Sequence, residues 1–201
     1  MSESILVIAC GALAREITEL KKSYGWDHLH LVCIDAKLHL RPALIPDRLR
    51  EIIRSHKDNF DRIFVAYADC GTGGEIDRVI AEEGEGIERL PGAHCYQFFV
   101  GEERFAALSD AEPGTFYLTD FLAQHFERFV IKPLQLEQHP ELRDAFFGNY
   151  RRLVYLSQTR SEELLQAARD AAERLELDFE HVHCGYGGLE TGLHDFITEK
   201  H

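Results

Sequence analysis

Three apolar, strand-like segments of this chain each end in a Cys-Gly pair followed by a turn of small residues. The pairs are Cys10-Gly11, Cys70-Gly71 and Cys184-Gly185, and the last two continue as Gly-Thr-Gly-Gly and Gly-Tyr-Gly-Gly. Strands of an open α/β sheet bring their carboxyl ends to one edge, where ligands bind. The pattern therefore predicts a parallel sheet whose edge presents thiols to a pocket.

The rest of the chain alternates between short apolar runs and segments of helical spacing, which is typical of α/β proteins. Strands are predicted over residues 4–9, 28–34, 62–68, 87–90, 152–156 and 178–183. Helices are predicted over residues 12–24, 47–57, 75–82, 161–175 and 189–198. The expected fold is a Rossmann-like three-layer α/β domain with a mostly parallel sheet, spanning residues 1–201.

The middle of the chain departs from this alternation. Residues 105–150 are rich in aromatic side chains and are broken at Pro113, Pro133 and Pro140. We interpret residues of about 94–150 as a helical insertion or cap, with a helix beginning at Thr119 or Asp120. An exposed apolar face on this segment would suit a homodimer.

Charge and composition limit the class of partner. The net charge of −13 over 201 residues argues against nucleic acid or an anionic membrane, because both need a basic surface. A small-molecule substrate, including an anionic one, is compatible with it. The chain has no segment suited to crossing a membrane, and its amino terminus lacks signal-peptide features. These features favour the cytoplasm.

Five cysteines in such a chain favour free thiols over disulfides. Cys33 fits a buried hydrophobic position. We predict a metal site built from Cys10, Cys70, Cys95 and His94, because zinc prefers sulfur and nitrogen ligands; iron is the alternative metal. Since neighbouring side chains point in different directions, we expect one of His94 and Cys95 to bind the metal, while the other either supports the ligands from outside or carries a proton. The alternative is that these thiols are structural or act separately.

Other residues near the predicted edge are candidates for supporting roles. Asp69 is a candidate general base, and His94 is the other candidate catalytic residue. Backbone N–H groups of the glycine turns could hold an oxyanion of a substrate or cofactor, which makes candidates of Gly11, Gly71, Thr72, Gly73 and Gly74. His39 and Arg41 could reach the same edge, although a solvated loop is the simpler interpretation.

Several motifs resemble one known family. They are Asp-Cys-Gly-Thr-Gly-Gly at 69–74, Pro-Gly-Ala-His-Cys-Tyr at 91–96, Gly-Thr-Phe-Tyr-Leu-Thr-Asp-Phe-Leu at 114–122 and Phe-Gly-Asn-Tyr at 147–150. Together they resemble the domain of unknown function 1638 family, with the likeness running from Cys10 to Gly187. The resemblance implies Cys10, Cys70, His94 and Cys95 as functional residues and leaves Cys184 out. It also implies an association with corrinoid-dependent methyltransferase systems, with the corrinoid held by a partner protein.

Three functional hypotheses follow. The first is a metal-dependent enzyme, a transferase or hydrolase, linked to one-carbon or methyl-group metabolism. The second is a cofactor-independent enzyme with two facing thiols, Cys70 and Cys184, resembling amino-acid racemases only in that architecture. The third is a non-catalytic accessory factor that docks on a corrinoid protein or a methyltransferase.

Overall fold

Parallel strands joined by helices build this chain, as the alternation predicts. A computed structural model describes residues 3–199, which divide into two compact units. The first unit comprises the chain up to Phe98 together with the segment from Tyr186, and the second comprises Phe99–Gly185. Among the helices of the described range, none is long and apolar enough to cross a membrane.

Each unit has its own sheet, and both sheets are entirely parallel. The first contains β1 (Ile5–Cys10), β2 (Leu29–Ile34), β3 (Arg62–Ala66) and β4 (Ile87–Arg89) in the order β2-β1-β3-β4. The second contains β5 (Thr115–Thr119), β6 (Arg152–Ser157) and β7 (Asp178–His183) in that order. These sheets confirm the predicted α/β class and are consistent with a Rossmann-like three-layer fold.

The α-helices lie between the strands and at the end of the described chain. They are α1 (Ala14–Tyr24), α2 (Ile45–His56), α3 (Glu75–Glu83), α4 (Cys95–Val100), α5 (Glu102–Ala111), α6 (Asp120–Gln124), α7 (Leu142–Phe147), α8 (Glu162–Leu175) and α9 (Gly187–Thr198). The predicted helices α1, α2, α3, α8 and α9 are confirmed to within about two residues at each end, which is the usual uncertainty of a boundary.

Strand β1 is the buried centre of the first sheet. All six of its residues are buried, as expected for a parallel strand covered on both faces. Its register pairs Cys10 with Ile34 of β2 and Ala9 with Ala66 of β3. The carboxyl ends of these three strands are therefore aligned, which confirms that the first and third strands are neighbours.

The middle segment of about 94–150 is less helical than predicted. It contains α4 to α7 and a π-helical turn at Glu127–Ile131, but it also contributes strand β5. Four of the five residues of this strand, Thr-Phe-Tyr-Leu-Thr, are β-branched or aromatic, and such residues favour extended structure. Thr119 then caps α6 by accepting a hydrogen bond from the Leu122 N–H, so the predicted helix start is confirmed.

The second sheet is held by its own apolar core. Leu118 of β5, with Leu153 and Tyr155 of β6, packs against Ala168 and Leu175 of α8. The spacing of seven between those two α8 residues places them on one helical face. Strand β6 is the centre of this sheet, and its carboxyl end at Ser157 lies beside His183 of β7.

Candidate metal centre

Each strand of the first sheet is followed by a segment that carries a sulfur or nitrogen donor. Cys10 ends β1, His39 lies five residues after β2, Cys70 four residues after β3 and Cys95 six residues after β4. Because the sheet order is β2-β1-β3-β4, the donors come from four adjacent strands at the same edge. This edge is where parallel α/β sheets bind ligands.

Three of these donors meet closely. One donor atom each from His39, Cys70 and Cys95 lies within 4.8 Å of the other two. The sulfurs of Cys70 and Cys95 are 3.5 Å apart. Cys10 is a neighbour of this group, with its fully buried sulfur 3.7 Å from Nδ1 of His39. The set offers two cysteine sulfurs and an imidazole, with a third sulfur beside the imidazole.

Asp69 holds the turn that presents Cys70. Its carboxylate accepts hydrogen bonds from the Thr72 hydroxyl at 2.7 Å, from the Gly74 N–H at 2.7 Å and from the Gly73 N–H at 3.1 Å. Although burial opposes the shift, these bonds lower the pKa of Asp69 below its usual value. The carboxylate thus stays ionised and closes the loop.

The backbone at Cys70 is in the left-handed region, with φ of 50°. Non-glycine residues adopt this conformation at a cost of about 1 kcal/mol. Gly71, Gly73 and Gly74, which follow it, also have positive φ, at 82°, 66° and 87°. The glycines let the chain reverse tightly, and the conformation at Cys70 directs its sulfur towards Cys95.

A short 3-10 helix brings His39 to the cluster. This helix, Ala36–Leu40, starts at Asp35, whose carboxylate accepts a hydrogen bond from the Lys37 N–H at 2.9 Å. Nδ1 of His39 lies 3.1 Å from the Ala36 carbonyl oxygen, and its ring stacks on Tyr67 at a centroid distance of 5.8 Å. The prediction that His39 could reach the sheet edge is confirmed, because the helix turns its imidazole towards Cys70 and Cys95.

The cluster shares its protons unequally. A hydrogen bond from Cys95, opposed by burial and assisted by His39, lowers the pKa of Cys70 to about 5. The same contact, together with burial, raises the pKa of Cys95. Burial favours neutral His39, but hydrogen bonds to Cys10 and Cys70 outweigh it and raise the pKa of His39 to about 10. At neutral pH the metal-free cluster holds a Cys70 thiolate, a Cys95 thiol and a His39 imidazolium.

Metal-free protein is expected to react with iodoacetamide at Cys70 faster than at Cys33, although Cys33 is exposed and Cys70 is half-buried. The residue is exposed rather than buried as predicted, but partial burial of its sulfur, and then the charge of Cys10, raises the pKa of Cys33. Because only the thiolate reacts, the Cys70 rate should be nearly flat above about pH 6. The Cys33 rate should rise roughly tenfold per pH unit. Peptide mass spectrometry after timed alkylation measures both rates.

Cys95→Ala is the matched variant for this experiment, because it removes the hydrogen bond that favours the Cys70 thiolate. This variant should slow the alkylation of Cys70 at low pH and leave the alkylation rate of Cys33 unchanged. A Cys70 rate that climbs through neutral pH in the parent protein would contradict the shared-proton arrangement.

The remaining predicted site residues lie around this group. His94 is exposed, with its ring 6.1 Å from that of Tyr96, and it is not among the three clustered donors of the described chain. The N–H groups of Gly73 and Gly74 are engaged by Asp69. A Cβ atom at Gly11 would lie 3.2 Å from the Ile34 carbonyl oxygen, so glycine there allows β1 and β2 to end close together. The metal role of His94 and the oxyanion role of the turns stay predictions.

Two parallel sheets, the first with a half-buried cluster of thiols and an imidazole at its carboxyl edge, define an α/β protein with a cluster that could hold a metal ion. The chain belongs to the family described as protein of unknown function DUF1638, whose model matches residues 33–193. His39, Cys70 and Cys95 lie inside the matched range, and Cys10 precedes it. No curated protein matches the chain, and no solved structure matches it.

Proposed function

We propose that this chain is a metal-dependent enzyme whose centre is held by His39, Cys70 and Cys95. The observation that carries the proposal is the meeting of the three donor atoms within 4.8 Å. Zinc is the preferred metal because it favours tetrahedral sites of sulfur and nitrogen. Iron accepts the same ligands and is the alternative.

The hydrogen bonds around the cluster are also compatible with metal binding. If Nδ1 of His39 donates its proton to the Ala36 carbonyl oxygen, Nε2 keeps its lone pair for the metal. Such an outer hydrogen bond is the usual way in which proteins orient a ligating histidine. The hydroxyl of Tyr67 is fully buried in this same environment, beside the Cys10 sulfur. Burial and the sulfurs of Cys10 and Cys70 raise its pKa, so it remains a phenol that can donate to a ligand.

The role of Cys10 decides between a catalytic and a structural centre. Structural zinc sites use four protein ligands, whereas catalytic sites use three and leave a position for substrate or water. The Cys10 sulfur already accepts a hydrogen bond from the Ala12 N–H at 3.3 Å and is outside the three-donor group. We therefore assign three ligands to the metal and place Cys10 beside them, where it holds His39.

A cavity of about 690 Å³ lies beside the segments that follow His39 and Cys70. Arg41, Pro42, Gly71 and Thr72 are among its lining residues, so the segments that supply His39 and Cys70 also form its wall. Within the described chain Arg41 forms no ion pair, whereas Arg50 of the same cavity binds Glu82 at 2.6 Å. Arg41 is thus available to a carboxylate or phosphate of a small-molecule substrate.

We place the reaction in one-carbon or methyl-group metabolism in the cytoplasm. A zinc ion with an open position lowers the pKa of a bound thiol or water and makes it a nucleophile. The family resemblance supports a methyl-bearing substrate and a corrinoid protein or methyltransferase as partner. A transferase acting on a thiol suits the sulfur-rich ligand set better than a hydrolase does.

The two other hypotheses have less support. Burial raises the pKa of Cys184 to about 11, which makes it a poor proton acceptor at neutral pH. An accessory factor would use the same donors to hold or deliver a metal, and it differs from the enzyme in needing no open coordination position.

Cobalt substitution tests the number of ligands. Protein loaded with Co²⁺ is expected to show thiolate-to-metal absorption of the same intensity in the parent and in Cys10→Ser, and an added small thiol should increase it. Cys33→Ser is the matched control for loss of a cysteine outside the cluster. A drop of about one third in Cys10→Ser, with no response to the thiol, would indicate a closed structural site. Failure to bind one metal ion per chain would overturn the proposal itself.

A further inference from the structure

The second unit contains a different cluster of polar groups that the metal proposal does not use. A cavity of about 280 Å³ opens at the carboxyl ends of β6 and β7. Ser157, Thr159, Arg160, His181 and His183 are among its lining residues. Ser157 is buried at its base, and both histidines are exposed at its wall.

Two imidazoles meet on a single hydroxyl in this cavity. The Ser157 oxygen lies 2.9 Å from Nε2 of His181 and 3.0 Å from Nδ1 of His183. Residues two apart on a strand share a face, so β7 directs both rings to the same side. Ser157 lies opposite His183 in the register of β6 and β7, which brings its hydroxyl between the two rings.

The protons in this arrangement can be counted. A hydroxyl has one proton to donate and two lone pairs to accept with. When both imidazoles are neutral, the hydroxyl donates to one ring and accepts from the other. When both are protonated, both rings donate to the oxygen, and the hydroxyl proton is released to a third partner. A ligand that favours imidazolium would therefore gain the Ser157 hydroxyl as a donor.

The charges around the cavity favour an anion. Arg160 stands at its rim, and α8 begins at Glu162 with its positive dipole end towards the same loop. The buried carboxylate of Asp120 is already engaged. It accepts hydrogen bonds from the Tyr155 hydroxyl at 2.7 Å and from the Gln158 and Thr159 N–H groups at 3.0 and 2.9 Å. Glu162 is the acidic residue of the lining that opposes an anion.

We propose that this cavity binds a phosphate-type dianion, either inorganic phosphate or the phosphate group of a small molecule, through His181, His183, Arg160 and the Ser157 hydroxyl. A dianion suits the site better than a carboxylate because two imidazoles can each supply a proton to match its charge. The cavity is large enough for the phosphate and a small organic group. The inference does not depend on the metal centre, since its residues all belong to the second unit.

The affinity should depend on pH. Burial, followed by the charge of His183 and then of Arg169 on α8, lowers the pKa of His181 in the free protein, and Asp120 of α6 and Glu162 of α8 oppose the shift. Arg160 is the other charged residue lining the cavity. A bound anion stabilises imidazolium, so it raises that pKa and binding takes up protons. Binding should therefore weaken as the pH rises through the imidazole range.

The test is to titrate the full chain with sulfate and, separately, with inorganic phosphate. Binding is monitored through the NMR signals of the histidine imidazoles. Sulfate keeps the same charge over this range, so its affinity at about pH 6 should exceed that at pH 8 by roughly tenfold. Arg160→Gln and His183→Gln should each weaken binding by about tenfold. Arg151→Gln is the matched control, because Arg151 precedes β6 at the opposite end of that strand. A phosphomonoester that binds more tightly than inorganic phosphate would identify a phosphorylated small molecule as the ligand.

Three results would overturn the proposal. One is the absence of saturable shifts in the His181 and His183 signals. Another is equal affinity in Arg160→Gln and the parent. The third is preferential binding of Zn²⁺ by the two histidines with no response to either anion, which would make the pair a cation site. A folded state is checked in each variant by its amide spectrum, so that loss of binding is not confused with unfolding.

Discussion

Cys70→Ser and Cys95→Ser are each expected to lower the metal affinity of this protein by at least about a hundredfold, because each removes one of the three proposed ligands. A serine hydroxyl is a weak ligand for zinc, since it stays protonated where a thiolate forms. Metal content after dialysis against a chelator of graded strength measures the loss. Cys33→Ser, which changes an exposed cysteine outside the cluster, should keep the parent affinity.

Two histidines provide the sharpest comparison. His39→Gln should lose the metal as the cysteine variants do, whereas His94→Gln should retain it, because His94 is exposed and outside the three-donor group. The reverse result would restore His94 as the ligand and remove His39. Equal retention in both variants would indicate a site made of sulfur alone, with Cys10 as the third ligand.

Cys70→Gly distinguishes the effect of the backbone conformation at residue 70 from the role of the Cys70 sulfur as a metal ligand. Glycine adopts the positive φ of residue 70 without the steric cost that a side chain bears. The variant should therefore lose the metal like Cys70→Ser, and its metal-free form should be more stable than metal-free Cys70→Ser by up to about 1 kcal/mol, because both lack the thiolate and only glycine avoids the steric cost. A metal-free Cys70→Gly variant that is less stable than Cys70→Ser would contradict a steric cost at residue 70.

Much of the first unit could be predicted because its signals are local. Apolar runs such as residues 5–10 and 62–66 are bounded by polar or glycine residues, and the helical spacing between them is regular. The adjacency of β1 and β3 follows from the common topology of parallel sheets and places Cys10 and Cys70 at one edge. Two of the three clustered donors, Cys70 and Cys95, were candidates on that basis.

His39 was not predicted as a ligand because its position depends on a short irregular segment. The 3-10 helix Ala36–Leu40 turns the ring back towards the sheet, and such turns have no clear periodicity. His94 was favoured instead because it is next to Cys95 in sequence, but adjacent residues at the start of α4 point apart. The Asp35 cap and the stacking of His39 on Tyr67 are tertiary details.

The second sheet and its cluster were missed for a related reason. Strand β5 is short and follows a Pro-Gly break, and its aromatic residues also suit a helical core. Without β5, strands β6 and β7 appeared to extend the first sheet. The His-Val-His spacing of β7 was the available sign, because alternate strand residues share a face. Its meaning depended on Ser157 of the neighbouring strand.

Asp120→Asn is expected to destabilise the second unit by about 3 kcal/mol, because it leaves buried donors without a matching acceptor. One carboxylate oxygen accepts from the Tyr155 hydroxyl and the Gln158 N–H, and the other accepts from the Thr159 N–H. Asparagine keeps one carbonyl oxygen and presents an NH₂ group in place of the other, so donors face each other in a site that excludes water.

The loss in free energy of unfolding is measured by urea denaturation, monitored by far-ultraviolet circular dichroism. Asp170→Asn is the matched control. Asp170 is an exposed α8 carboxylate that accepts one hydrogen bond from Gln166, so its change should cost less than about 0.5 kcal/mol. Because Asp120 holds the loop of Thr159 and Arg160, its loss should also weaken anion binding, whereas the metal affinity of the first unit should not change. Parent-like stability in Asp120→Asn would mean that the buried carboxylate does not organise this loop.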